Sequence, residues 1–347
     1  MVNDARDRRE FARRVPKAEI HLHLEGSVEL GTLLRLVRAR GEPAGSEVRA
    51  RLAALYSHRD FPDFLQNFRR LCAEIRQPED LALIVSDLSR RLQEQNVRYA
   101  EVFCSPIIFR RALGLPAAEI MDAVSGAARR RQRDGGPRLR FLLDGVRQFG
   151  IAGMEDVVTD ASVCRKYDVI GVGMGGDERA MPTAEFAGPY REARRAGLRT
   201  TVHAGEFDGP RSVWEAIEVL EAERIGHGVR AVEDSELVHA LKTRGVPLEC
   251  CPTSNVKTGT VRDWEDHPIK VLHHAGVAVT VNSDDPALFG TSLLDEWDLL
   301  MTRLGLTPVE TLAVGVQTAR STFLPDAERE ALVDVMLRAA REAGVGA

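Results

Sequence analysis

Short apolar runs alternate with amphipathic segments along the whole chain. Each apolar run predicts a buried strand, and the segment after it carries apolar residues at helical spacing. The predicted strands cover residues 17–23, 98–104, 139–145, 169–173, 199–203, 224–227, 247–251 and 277–282. Strand–helix alternation implies a parallel sheet, and eight units favour an α/β fold built as a single (β/α)8 TIM barrel over a doubly wound open sheet. We expect residues 1–347 to form one domain.

The connection after the first strand is much longer than one helix requires. Residues of about 28–97 carry a helical pattern, with helices predicted over 29–40, 59–76 and 78–95. Long connections of this kind often form lids or binding elements, and we expect a helical lid here. Phe61, Phe64 and Phe68 form a stripe at helical spacing within it, which fits either core packing or the wall of a substrate pocket.

Composition narrows the choice of partner. A net charge of −5 over 347 residues gives no reason to expect nucleic acid or an anionic membrane surface. The N-terminus is too charged for a signal peptide and no apolar run approaches the ~20 residues of a membrane span, so we expect a cytoplasmic protein. The five cysteines are expected to be buried thiols. We therefore predict a small molecule as the partner. The sequence does not decide the oligomeric state, and a homo-oligomer is compatible with it.

Histidines and carboxylates concentrate at the ends of the predicted strands, where (β/α)8 barrels carry their catalytic groups. These residues are His21 and His23 after strand 1, His203 after strand 5, His227 after strand 6, and Asp284 with Asp285 after strand 8. Residues two apart on a strand point the same way, so the first pair shares one target. Imidazoles with a carboxylate suit Zn²⁺ or a similar divalent ion, which makes hydroxide available near neutral pH.

One metal ion is expected rather than two. Two-metal barrels of this kind usually bridge their ions with a carboxylated lysine or an acid at the end of strand 4, and this chain has Gly171-Val-Gly-Met-Gly-Gly176 there. The remaining histidines fall in predicted helices or loops, where a solvated surface role is expected: His58, His239, His267, His273 and His274.

Three groups beside the metal ligands have the chemistry to act on a substrate. Glu206 follows His203 by three residues, and burial would raise its pKa and make it a proton donor, unless it caps the next helix. His227 could orient or deprotonate the attacking water, or be a satisfied core histidine. Asp285 is free to bind substrate, and it could also be the N-cap before Pro286.

Five segments resemble the adenosine deaminase family, in the family's order and over nearly the whole chain. They are Pro16-Lys-Ala-Glu-Ile-His-Leu-His-Leu-Glu-Gly26, His203-Ala-Gly-Glu206, Gly226-His-Gly228, Cys251-Pro-Thr-Ser-Asn255 and Asn282-Ser-Asp-Asp-Pro286. The resemblance implies a zinc (β/α)8 barrel that hydrolyses the 6-amino group of a purine, with one zinc ion per chain held by His21, His23, His203 and Asp284.

The resemblance also implies roles at the substrate. Glu206 would protonate purine N1, and His227 and Asp284 would handle the proton of the attacking water. Asp285 would contact N7 and the backbone of Gly176 would face N3, with His23 also bordering the substrate.

Departures from the family pattern bear on the substrate. Many adenosine deaminases carry Asp where this chain has Glu25, the stretch Ser105–Phe109 is apolar, and Arg147 follows strand 3. We hypothesise that Glu25, Ile107 and Arg147 shape a site for a 6-aminopurine with an N9 substituent that carries a carboxylate, as in aminodeoxyfutalosine. Alternatively, Arg147 only pairs with a neighbouring acid.

The expected function is hydrolytic deamination of adenosine or an adenosine-like nucleoside to the 6-oxo product and ammonia. Adenine deamination and a different metal-dependent hydrolysis on the same barrel are the alternatives.

Overall fold

The computed structural model describes residues 5–346, and within them eight parallel strands pair in sequence order in a single sheet. The strands are β1 (Lys17–His23), β2 (Val97–Cys104), β3 (Arg138–Val146), β4 (Val169–Gly175), β5 (Arg199–Ala204), β6 (Arg224–His227), β7 (Leu248–Cys250) and β8 (Val279–Val281). All eight predicted strands are present, with bounds that differ by up to two residues at either end.

The sheet closes where the last strand meets the first. The amide of His23 donates to the carbonyl oxygen of Asp284 at 2.8 Å, and the amide of Asp284 donates to that of His21 at 3.1 Å. These bonds form a parallel bridge between Leu22 and Asp284. The predicted (β/α)8 barrel is therefore confirmed, and the open doubly wound sheet is wrong.

Helices surround the barrel. They are α1 (Ala5–Arg14), α2 (Leu30–Ala39), α3 (Ser46–Ala53), α4 (Phe61–Cys72), α5 (Pro78–Glu94), α6 (Pro106–Leu113), α7 (Ala117–Arg133), α8 (Gly150–Val163), α9 (Ala187–Arg195), α10 (Pro210–Glu218), α11 (Ser235–Arg244), α12 (Pro252–Lys257), α13 (Ile269–Ala275), α14 (Pro286–Phe289), α15 (Leu293–Thr302), α16 (Pro308–Arg320) and α17 (Asp326–Glu342). No helix among residues 5–346 is long and apolar enough to cross a membrane.

Four of these helices, α2 to α5, lie between β1 and β2, where the long connection was predicted. The N-terminus of helix α4 is capped, because the Asp60 carboxylate accepts the amide proton of Asp63 and Pro62 has no amide proton that needs an acceptor. Helix α3 was not predicted, since Leu52 is its only buried residue and it therefore lacks an apolar stripe. A lid role for these helices stays a prediction.

Charged side chains from several strands meet inside the barrel. The Arg224 guanidinium lies 2.6 Å from a carboxylate oxygen of Glu101 and 2.6 Å from one of Glu249, and its carbon lies 3.7 Å from the ring centre of Phe323. Two carboxylates and an aromatic face thus compensate the buried cation. Removing one partner of such a group typically costs about 3–5 kcal/mol.

Candidate metal centre and active site

Imidazoles and a carboxylate from distant parts of the chain converge at the C-terminal edge of the barrel. The Asp284 Oδ1 atom lies 3.4 Å from His21 Nε2 and 3.3 Å from His23 Nε2. The ring centres of His21 and His203 are 4.6 Å apart. The alternation of β1 brings its two histidines to one side, as the sequence predicted. The structure therefore brings together all four of the predicted ligand residues.

The donor atoms fit a divalent cation. Within the described part of the chain, His21 Nε2, His203 Nε2 and Asp284 Oδ1 are buried without a hydrogen-bond partner. Such atoms are costly unless something binds them. The carboxylate of Glu249 accepts the proton of His21 Nδ1 at 2.7 Å, so the lone pair of His21 lies on Nε2, toward the cluster. Nitrogen and oxygen ligands of this kind suit Zn²⁺.

Glu206 stands beside this cluster. Its Oε2 atom lies 3.7 Å from His227 Nε2 and 3.8 Å from His203 Nδ1. Burial raises the pKa of Glu206 well above its usual value, and the negative charge of Asp284 is the next largest cause. Glu206 does not cap the following helix, because α10 begins at Pro210 with Gly209 as its N-cap. The raised pKa favours the protonated carboxyl group, which is the form that can donate a proton.

A second glutamate fixes the loop that carries Glu206. The Glu178 carboxylate accepts four backbone N–H groups, those of residues 205–208, at 2.6–3.0 Å. Glu178 is 1% exposed, so these bonds are shielded from water. The role of Glu178 could not be predicted from the sequence, because nothing in its local pattern shows which distant loop it contacts.

His227 has one satisfied nitrogen and one that faces the site. The Asn255 amide donates to its Nδ1 at 3.0 Å, while its Nε2 lies 4.0 Å from Asp284 Oδ2. Burial lowers the pKa of His227 to about 3, which keeps the ring neutral. Its backbone has a φ of 58°, in the left-handed region that few residues other than glycine adopt.

Asp285 lies at the N-cap position of α14, but its side chain makes no capping hydrogen bond there. It lines the cavity instead. Burial and the neighbouring Asp284 charge raise the pKa of Asp285 well above its usual value. A β-carbon at Gly26 would lie 1.6 Å from Asp285 Oδ1, so only glycine at that position leaves room for this carboxyl group.

A cavity of about 620 Å³ opens above the cluster. Phe61, Phe64 and Phe68 line it, and the first two are also packed against Phe207 and Phe289. Both interpretations of the phenylalanine stripe, core packing and pocket wall, therefore describe the structure. The cavity wall also includes residues of the predicted site from other strands: His23, His203, His227, Glu206, Gly176, Asp284 and Asp285.

Two residues predicted to contact substrate lie elsewhere. Among the described residues, neither Glu25 nor Arg147 belongs to the cavity wall. The Glu25 carboxylate accepts the amide proton of Ser105 at 2.8 Å. The Arg147 guanidinium is buried and donates to the carbonyl oxygens of His203 at 2.8 Å and Met181 at 2.9 Å. It also donates to the Thr183 hydroxyl at 3.1 Å and forms no ion pair with an acid among the described residues, so the geometry differs from both sequence-based alternatives.

Further corrections concern other side chains. Ile108 rather than Ile107 faces the cavity, since Ile107 is directed into the core. His267, expected at the surface, is 6% exposed and contacts Asn255. Asp144 was not predicted, although it lies near the end of an apolar strand as the candidate ligand histidines do. Its Oδ2 atom lies 3.8 Å from His23 Nδ1, and burial raises its pKa to about 7.

Comparison with known proteins gives consistent results. The sequence model of a family described as adenosine deaminase matches residues 16–339. An aminodeoxyfutalosine deaminase of Streptomyces avermitilis is 35% identical, over 92% of this chain and 89% of its own length. An adenine deaminase of Rhizobium rhizogenes is 36% identical, over 91% and 97%. The crystal structure of an amidohydrolase from Burkhoderia ambifaria with bound zinc superposes with a TM-score of 0.88 at 27% identity, covering 99% of this chain and 96% of that one.

Proposed function

The chain belongs to the adenosine deaminase family, and we propose that it is a zinc-dependent hydrolase that converts a 6-aminopurine nucleoside to the 6-oxo compound and ammonia. One observation carries this proposal. A buried carboxyl group of raised pKa, that of Glu206, stands 3.7 Å from His227 and beside a cluster of unpartnered ligand atoms.

The metal would be held by His21, His23, His203 and Asp284. A bound Zn²⁺ ion supplies Lewis acidity and lowers the pKa of a water ligand toward neutrality. The similar Burkhoderia ambifaria structure with zinc supports this choice of ion.

The remaining groups would act on the purine ring. N1 and N7 carry lone pairs and need hydrogen-bond donors. Burial raises the pKa of Glu206 and of Asp285, which favours the protonated form that each would need to donate. The backbone N–H of Gly176 would donate to N3. Protonation of N1 draws electrons from C6, where the water oxygen adds. The proton given by Glu206 stays on N1 of the product. One water proton leaves with the amino group as ammonia, and the other returns from the C6 oxygen to Glu206 as the carbonyl group forms.

The cavity supports a substrate larger than a free base. Its outer wall is rich in phenylalanine, and its rim includes Arg69 and Arg111. Neither guanidinium forms an ion pair with any residue between positions 5 and 346, although that of Arg111 lies 4.2 Å from the ring centre of Phe149, so both can pair with an anionic group. Together with the similarity to the Streptomyces avermitilis enzyme, this supports aminodeoxyfutalosine as the preferred substrate, with its carboxylate near these arginines instead of Arg147.

Adenine is the second candidate, because the Rhizobium rhizogenes adenine deaminase matches this chain as well as the aminodeoxyfutalosine deaminase does.

Steady-state ammonia release by the zinc-loaded protein tests these proposals. We expect the highest kcat/KM on aminodeoxyfutalosine, then adenosine, then adenine. Glu206→Gln should lose about 10²–10⁴-fold in kcat, the usual contribution of a general acid. Arg69→Ala and Arg111→Ala should raise KM for aminodeoxyfutalosine but not for adenine.

Arg70→Ala is the matched control, since Arg70 neighbours Arg69 on α4 but is exposed away from the cavity wall. A preference for adenine would replace the first candidate with the second. No ammonia from any of the three purines would refute the proposed function.

A further inference from the structure

A chain of hydrogen bonds runs from His227 away from the cavity. Asn255 Nδ2 lies 3.0 Å from His227 Nδ1, and Asn255 Oδ1 lies 3.3 Å from His267 Nε2. This series of hydrogen bonds ends at a backbone group, where the amide of Ile269 donates to His267 Nδ1 at 3.2 Å. The three side chains are all buried, with His227 and Asn255 fully enclosed.

The direction of every bond follows from its fixed end. A backbone N–H can only donate, so His267 Nδ1 accepts. Burial lowers the pKa of His267 to about 3, and a neutral ring with an accepting Nδ1 must carry its proton on Nε2. That proton is donated to Asn255 Oδ1, which leaves the amide nitrogen of Asn255 to donate to His227 Nδ1. A neutral His227 must then carry its own proton on Nε2.

We propose that Asn255 and His267 are positioning residues that hold His227 in the Nε2–H tautomer, so that His227 presents a donor proton to the reaction site. The consequence for catalysis rests on the proposed function, whereas the tautomer is a property of the fold itself.

The tautomer assigns roles that the sequence alone left open. A ring with its proton on Nε2 can donate a hydrogen bond to the attacking oxygen, but it has no lone pair there with which to accept a proton. His227 therefore orients the oxygen and stabilises its developing charge. The proton of the water must go to another acceptor, and Asp284, whose Oδ2 lies 4.0 Å from His227 Nε2, is the acceptor on that side.

Ring-nitrogen NMR tests the tautomer directly. Protein labelled with ¹⁵N-histidine would be studied by long-range ¹H–¹⁵N correlation, with the His227 signals assigned by their loss in His227→Gln. We expect a protonated Nε2 and an unprotonated Nδ1 in both the metal-free and the zinc-loaded wild type. A wild-type His227 protonated on Nδ1 would overturn the proposal without the need for any variant.

Two substitutions separate positioning from mere packing. Asn255→Asp replaces the donor amide with a carboxylate, which only accepts, so the His227 proton should move to Nδ1. His267→Gln keeps a donor toward Asn255 and should preserve the wild-type tautomer, whereas His267→Leu frees the Asn255 amide to rotate and should give a mixture. An unchanged tautomer in Asn255→Asp would refute the inference.

Kinetics provide the second readout. Asn255→Asp should lower kcat at least 10-fold with little change in KM and with zinc content unchanged, because the change affects reaction rather than binding. His267→Gln should stay within about 3-fold of wild type while His267→Leu falls by 10-fold or more. His239→Gln, a change at an exposed histidine on α11, is the matched control. Equal losses in the Gln and Leu variants would indicate packing alone and overturn the proposal.

The two proposals fail separately. If wild-type His227 has the Nε2–H tautomer but the protein releases no ammonia from any aminopurine, the proposed function fails and the positioning inference stands.

Discussion

Glu178→Gln is the substitution whose effect follows most directly from the contacts. The change is isosteric and removes only the charge and one acceptor atom. In the protein, Oε2 accepts the amide protons of residues 206, 207 and 208, and Oε1 accepts that of Gly205. The best orientation of a glutamine would keep its oxygen on the three donors and turn its NH₂ group toward the Gly205 amide.

The cost has two parts. An unsatisfied buried N–H costs about 1–3 kcal/mol, and each remaining bond loses about 1 kcal/mol when its acceptor changes from charged to neutral. The free energy of unfolding should therefore fall by about 4–6 kcal/mol. Because Glu206 lies on the released loop, kcat/KM should also fall by about 10²-fold, the typical cost of misplacing a reacting group by roughly 1 Å.

Chemical denaturation and ammonia release measure the two effects. Glu185→Gln serves as the control, since Glu185 lies on the same segment but is exposed, and it should behave as wild type. If Glu178→Gln keeps its stability within 1 kcal/mol of wild type, the four bonds do not fix the loop and the reasoning is wrong.

Three further predictions concern other parts of the site and the surface. Gly26→Ala should lose about 10²-fold in kcat/KM with zinc retained, because the new β-carbon would displace Asp285. Gly31→Ala is the control and should keep the wild-type kcat/KM, because there is open space around Gly31. Normal activity of Gly26→Ala would contradict the geometry. Removal of metal should lower the calorimetric unfolding temperature, since a cation present at ~1,000 times its Kd stabilises the folded state by about 4 kcal/mol, and an unchanged temperature would argue against the site. Hydrogen bonds from Thr307 and from the His274 ring lower the pKa of Glu310 to about 2 in the folded protein, below its unfolded value. The stabilisation by this carboxylate is therefore present above pH 4.5 and is lost as the pH falls toward 2. Glu310→Gln should thus cost about 1 kcal/mol at pH 6 and nothing near pH 2, and a constant difference in urea titrations would count against this linkage.

The residues of the candidate metal site could be predicted because strand geometry fixes side-chain direction. His21 and His23 are two residues apart on one strand, and His203 and His227 each end an apolar run. The same rule applies to Asp144, which lies near the end of β3. It would have been predicted if every carboxylate at the end of a strand had been included.

Residues beyond the strand ends were harder to place. Glu25 and Arg147 have long side chains on short 3₁₀ segments, where local pattern does not decide between cavity and backbone. Their partners, Ser105 and His203, are 80 and 56 residues away. The burial of His267 likewise depends on a tertiary contact with Asn255 that no periodicity reveals.

The seam between β8 and β1 has a consequence for how the fold is held together. The two amides that complete the barrel belong to His23 and Asp284, which are also proposed cation ligands. One bound ion would thus join residues 261 positions apart and tie the first strand to the last. A barrel that forms in chain order closes only when its last strand pairs with its first. The four proposed ligand side chains would therefore hold the ion and also stabilise the closure of the barrel.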